Sequence, residues 1–133
     1  MKNYDPAARY LEADYWIREE DGIYTIGVTD FAQTFFPNLN AIHDLPLSGN
    51  EYAKDDIMAL VESDKATTEL TFPVRGKVIE VNEFLKIAPA LLNESPFDKG
   101  WILKMESIDS TDWDSLQTAD DYLDFIGTFF RKE

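Results

Sequence analysis

Apolar and polar residues alternate in short runs along most of the chain, and nearly every run ends at a turn residue. "YWIREE" and "IYTIGV" flank Asp21-Gly22, a dipeptide that favours a tight hairpin, so residues 15–28 predict two antiparallel strands. "IMALVES" and "ATTELTF" form a second such pair around Lys65. "FPVRGKVIEV" predicts a further strand with a bend near Gly76, where Val78, Glu80 and Asn82 alternate with Ile79 and Val81. "WILKM" predicts another short strand.

Helical patterns are fewer. "DPAARYLE" predicts a short helix with Asp5 as cap and Pro6 at the first position. "TDFAQTFF" predicts about two helical turns, with Asp30 and Gln33 spaced as a capping box and Pro37 as the stop. Residues 38–57 read as loop, and one helical turn is expected near Pro89. Tyr122, Phe125, Ile126, Phe129 and Phe130 recur at helical spacing, which predicts an amphipathic C-terminal helix capped by Thr118 and facing the core. Many short strands with added helices predict a β-dominated sandwich or barrel, and residues 1–133 read as one domain without a linker.

Charge narrows the function. There are 26 acidic and 12 basic side chains, a formal charge of −14, which argues against nucleic acid and against an anionic membrane surface. It favours a partner with a positive docking face. Cysteine is absent, so disulfides and thiolate chemistry are excluded. His43 is the sole histidine, which leaves a zinc site or a Ser-His-Asp triad little to work with, and it reads as a loop residue. Trp16, Trp101 and Trp113 read as packing residues, and the acids from Asp109 to Asp124 as a solvated face and helix-start charges. The start "MKNYDPAARYLEADYW" lacks a signal-peptide apolar core, which makes a cytoplasmic protein the expectation.

Lys65 is the residue that stands out, because it sits at the tip of a predicted hairpin between Asp64 and Ala66, close to Glu62. It reads in three ways: a solvated surface lysine, a catalytic amine, or a target for another enzyme. A nucleophilic lysine needs its pKa lowered by burial or a nearby cation. Neighbouring carboxylates favour the ammonium form instead, so the local sequence argues against intrinsic reactivity. A flexible, accessible lysine at a turn suits the role of target.

"VESDKA" resembles the lipoyl-attachment motif of lipoyl domains and of the glycine cleavage system H protein. In those families a glutamate three residues before the lysine and a glycine eleven after it help the attaching enzyme; Glu62 and Gly76 occupy these positions. "YTIGVTDFAQ", "LPLSGNEYAKDD", "PVRGKVIEVNEFL", "APALLNESPFDKGWILKM" and "ADDYLDFI" resemble the H-protein family in order and spacing, from about Tyr10 to the C-terminal helix. The resemblance implies a lipoyl/biotinyl-type barrel-sandwich hybrid with short added helices and a C-terminal helix. It implies a monomeric carrier, not an enzyme, with lipoate in amide linkage on Lys65 and with Glu62, Asp64 and Gly76 read by a lipoate ligase or a lipoyl/octanoyl transferase. Its further partners would be glycine decarboxylase, aminomethyltransferase and dihydrolipoyl dehydrogenase.

Some positions depart from the family pattern. Where the family usually carries "HEW", this chain has Asp14-Tyr15-Trp16. Ala13 stands where a hydroxyl is frequent and Phe31 where His or Tyr is usual. A segment usually like "LGDVVFVELP" becomes "FPNLNAIHDLP". In the family these regions line a cleft for the loaded arm, so Asp14, Tyr15, Asp30 and Phe31 are the expected cleft residues. The departures keep a second reading open, an H-like carrier acting as a lipoate relay or in redox-linked protein modification.

Overall fold

The computed structural model describes residues 4–12 and 14–130, with side chains described except at 34, 35 and 128–130. Nine strands form two antiparallel sheets among these residues. In chain order the strands are β1 (Arg9–Leu11), β2 (Tyr15–Glu20), β3 (Ile23–Val28), β4 (Ala41–His43), β5 (Glu51–Tyr52), β6 (Ile57–Glu62), β7 (Thr67–Thr71), β8 (Gly76–Val81) and β9 (Leu103–Glu106). The larger sheet has the order β1-β2-β3-β9-β8-β5 and the smaller one β4-β6-β7. Helices α1 (Leu91–Glu94), α2 (Ser110–Asp114) and α3 (Ala119–Phe130) are added around them.

One apolar core joins the two sheets. Ile17, Ile26, Val78, Leu103 and Met105 of the larger sheet pack with Ile42, Val61 and Leu70 of the smaller. A second cluster joins Tyr10, Trp16 and Tyr122, with Phe31, Phe97 and Trp101 against it. Trp16 lies across from Gly27, and a Cβ at Gly27 would come within 2.5 Å of the indole ring. The indole Nε1–H donates to the Pro96 carbonyl at 2.9 Å, which satisfies the ring's only polar atom.

The hairpin predicted at Asp21-Gly22 forms, with φ of 53° and 80° at the two turn residues. The β6–β7 pair forms around Lys65, and α3 starts where Thr118 Oγ1 accepts the Asp121 N–H at 3.2 Å. Asp109 caps α2 by accepting the Asp112 N–H at 2.9 Å.

Elsewhere the structure departs from the sequence reading. Asp5 accepts the Ala7 N–H as a cap would, but no helix follows. Tyr10 instead pairs with Trp16 and exchanges backbone hydrogen bonds with Gln117 at 2.9 and 2.7 Å, so sheet pairing overrides the cap. The expected two-turn helix after Thr29 is a single 3-10 turn, Ala32–Phe35, and the side chain that accepts at its start is Thr29, not Asp30. The 38–57 segment is not all loop, because β4 and β5 lie in it, and His43 is a strand residue. The bend expected near Gly76 falls at Pro73 and Val74, just before Gly76 opens the strand, and the alternation beyond it is broken by a register shift between Val78 and Glu80. In α3, Tyr122 and Ile126 pack inward while Phe125 is exposed; the side chains of Phe129 and Phe130 lie outside the described residues.

Candidate functional site

The β6–β7 hairpin ends in Ser63-Asp64-Lys65-Ala66, closed by a hydrogen bond from the Ser63 N–H to the Ala66 carbonyl at 2.9 Å. Glu62 pairs with Thr67 just below. Neither Asp64 nor Lys65 has a positive φ, unlike the Asp21-Gly22 turn. The backbone therefore does not dictate which residues stand at the tip, and the choice of Asp and Lys needs a reason in their side chains.

Lys65 is exposed, and among the described residues no carboxylate lies within ion-pair distance of its Nζ. Its acidic neighbours are engaged elsewhere. Asp64 Oδ1 accepts from Asn40 Nδ2 at 2.8 Å, and Glu62 Oε1 lies 3.2 Å from His43 Nε2. Gly76 does not join this cluster. It is buried in the larger sheet, where an added Cβ would meet Ile108 Cδ1 at 2.8 Å and the Glu106 carbonyl oxygen at 3.1 Å. Close packing between β8 and the chain after β9 is its structural reason.

A cleft of about 270 Å³ opens beside β7. Asp14, Tyr15, Ala32, Phe36, Glu69 and Thr71 are among its lining residues. β7 connects it to the lysine: Thr68, also on its wall, is three residues from Lys65, about 10 Å along an extended strand. Tyr15 fills part of the floor, and its hydroxyl accepts the Thr71 N–H at 2.7 Å, tying β2 to the end of β7. Burial pushes this phenol's pKa above the ordinary tyrosine value of 10.0, so it is neutral at pH 7.

Asp14 is half-buried on the cleft wall, and among the described residues its carboxylate has no hydrogen-bond partner. Burial raises its pKa above 3.8, and the Glu12 charge adds to the rise. Asp30 and Phe31 are not on that wall. Asp30 holds the Gln33 side-chain amide, and Phe31 packs against the Trp16 and Tyr122 cluster. Ala13 lies outside the described residues. Asn40, His43 and Glu69 belong to the site but were not among the residues expected from sequence. An acid four residues after Lys65, on the strand that leads away from the turn, is a sequence signal that could have found Glu69.

Comparison with known proteins bears on the family and the fold. Residues 8–129 match the family described as glycine cleavage H-protein. A probable glycine cleavage system H protein from Aeropyrum pernix is 39% identical over 118 residues, spanning 89% of this chain and 82% of that one. The glycine cleavage system H protein of Listeria monocytogenes is 41% identical over 113 residues, 85% of this chain and 90% of its own. That of Bacillus licheniformis is 40% identical over 118 residues, 89% of this chain and 92% of its own. The crystal structure of a glycine cleavage system H protein from Mycobacterium marinum superposes with a TM-score of 0.80, at 24% identity, over 93% of this chain and 99% of that one, which matches the two-sheet fold. With the family match running through both sheets, the lysine turn and the C-terminal helix, the chain belongs to the glycine cleavage H-protein family.

Proposed function

We propose that this chain is a single-domain, monomeric carrier in glycine cleavage, with lipoate in amide linkage on Lys65. The observation that carries the reading is an exposed lysine amine, free of its flanking acids, at the end of the strand that walls the cleft. In attachment, Lys65 Nζ attacks the carbonyl carbon of an acyl adenylate or acyl thioester. An amide bond forms, the adenylate or thiol leaves, and the amine proton passes to a base of the attaching enzyme. When bound, lipoate supplies a redox-active pair of sulfurs that carries an aminomethyl group, a chemistry this cysteine-free chain lacks.

The chain's own residues bind, orient and exclude water. Glu62 and Asp64 present charge to the lipoate ligase or lipoyl/octanoyl transferase. Gly76 acts through sheet packing. Val28, Ala32, Phe36 and Leu70 give the cleft apolar walls, and the Asp14 carboxylate faces a terminal amine as its counter-ion. The exposed acids suit docking by the decarboxylase, the aminomethyltransferase and dihydrolipoyl dehydrogenase through basic faces. No helix among the described residues is long and apolar enough to cross a membrane, which fits a carrier that meets these partners in turn.

Tyr15 favours a second reading. It stands where the family's glutamate is expected and its hydroxyl is committed to Thr71, which leaves Asp14 to hold the cation alone or with Glu69. An H-like carrier serving a lipoate relay or redox-linked modification needs no such counter-ion. The test has two steps. Incubation with lipoate, ATP and a ligase is followed by intact mass, where the parent gains one lipoyl increment and Lys65→Arg gains none. The modified parent is then supplied to the other three glycine-cleavage components. Turnover supports glycine cleavage, and modification without turnover supports the second reading.

A further inference from the structure

We propose that Asn40 and His43 are positioning residues that hold the two carboxylates flanking Lys65 in the orientation read by the attaching enzyme. This inference rests on the carrier reading above.

His43 ends the strand beside the lysine hairpin, and Asn40 immediately precedes that strand. β4 pairs with β6 at Ala41–Glu62, and the Asn40 N–H donates to the Glu62 carbonyl at 2.8 Å. That register places one side chain at each carboxylate. Asn40 Nδ2 donates to Asp64 Oδ1 at 2.8 Å. His43 Nε2 lies 3.2 Å from Glu62 Oε1; a carboxylate only accepts, so Nε2–H is the donor. His43 and Glu62 sit diagonally across the strand pair, a spacing within reach of long side chains.

All four side chains lie at the surface, with His43 and Glu62 each about half exposed at 53% and 47%. Exposed pairs of this kind add little to folding. What they fix is direction. Each engaged carboxylate keeps one oxygen open to an incoming enzyme, and the engaged oxygen is held off the neighbouring ammonium of Lys65. Ordering these side chains before docking removes an entropy loss that docking would otherwise carry.

The experiment measures ligase-catalysed lipoylation, with ATP and free lipoate, by intact mass across a range of carrier concentrations. Asn40→Ala and His43→Ala each raise the KM for the carrier about twofold to tenfold, the ordering loss of one side chain, with kcat unchanged. Asn40→Asp, which sets a like charge against Asp64, raises it further than Asn40→Ala. His43→Gln keeps a donor and recovers most of the parent value. In a Glu62→Gln background, where the flanking charge is gone, His43→Ala has no further effect. The melting temperatures of Asn40→Ala and His43→Ala stay within a degree or two of the parent. Parent-like KM values for both alanine variants overturn the inference, as does a rise that His43→Gln fails to recover and that tracks a falling melting temperature. A parent that gains no lipoyl mass, or a Lys65→Arg variant that gains it, overturns the carrier reading itself and the clamp with it.

Discussion

The hydroxyl of Tyr15 accepts the backbone N–H of Thr71 across the gap between the two sheets, at 2.7 Å. One oxygen thus joins the strand that follows the N-terminal segment to the strand that leads from the lysine turn. It also lies on the cleft wall together with Asp14.

Tyr15→Phe keeps the ring and removes the acceptor. The Thr71 N–H is then left half-buried without its partner, which costs about 1–3 kcal/mol. At this chain length the melting temperature should fall by roughly 3–5 °C per kcal/mol. An unchanged midpoint in a thermal melt would show that water takes the place of the phenol at no loss.

Asp14 makes stability depend on pH with a definite sign. Its folded-state pKa is raised by burial and by Glu12, so between the unfolded and the folded value the native state holds a proton that the unfolded chain has released. Its contribution is fully present below the unfolded value of 3.8 and is lost as pH rises through the folded value. Asp14→Asn should therefore be more stable than the parent at pH 7, with the gain shrinking to nothing near pH 3.5. Melting curves of the two proteins across that range check the sign; a variant less stable at pH 7 would mean that the carboxylate has a partner in solution.

Gly76→Ala should destabilise the fold, by roughly 1–3 kcal/mol, because the new methyl meets backbone and the Ile108 side chain together. The folded fraction should still accept lipoate at the parent rate, since Gly76 is buried in the larger sheet and the lysine turn belongs to the smaller one. Denaturant midpoints and ligase rates on the same samples separate the two effects. A slowed ligase reaction with an unchanged midpoint would make Gly76 a contact of the enzyme instead of a packing residue.

The C-terminal helix should show a steep contrast between two aromatic residues. Tyr122 is 1% exposed and stacks on Tyr10 with ring centroids 4.1 Å apart, whereas Phe125 is 36% exposed. Tyr122→Ala should lose about 3–5 kcal/mol, the usual range for a large aromatic in a core. Phe125→Ala should stay within roughly 1 kcal/mol of the parent, as surface changes do. Similar losses for both in urea unfolding would mean that α3 lies on the sheet in a different rotation.

Some of this architecture is legible in the residues and some is not, for physical reasons. The β2–β3 hairpin is legible because Asp21-Gly22 supplies two left-handed residues that a tight turn demands. β4 and β5 are not, because three and two residues are too few to show alternation, and both exist only through pairing with β6 and β8. The cap at Asp5 is present without its helix because a cap satisfies a donor locally but cannot outweigh a strand partner. Helical spacing finds the apolar residues of α3, but not which of them passes the edge of the sheet, so Phe125 reads as core and is not. At the site, the lysine turn and its acids are legible as a motif. The partners of those acids are not, because Asn40 and His43 are brought near by β4 pairing and lie about twenty residues away in the chain. Gly76 is legible by its spacing from Lys65, while its cause, the lack of room for a methyl group against Ile108, needs three dimensions.

The tip of the β6–β7 hairpin bends without a single left-handed residue. Such a corner can be moved: four residues closed by hydrogen bonds from the Ser63 N–H and hydroxyl to the Ala66 carbonyl would bend the same way between other antiparallel strands of matching register. A transplanted Ser-Asp-Lys-Ala corner would carry the amine and one acid to its new host, but not Glu62 or the neighbours that Asn40 and His43 provide from the adjoining strand. Peptide tags and chimaeras built on the four residues alone should therefore be poor acceptors, and good ones should need the third strand as well.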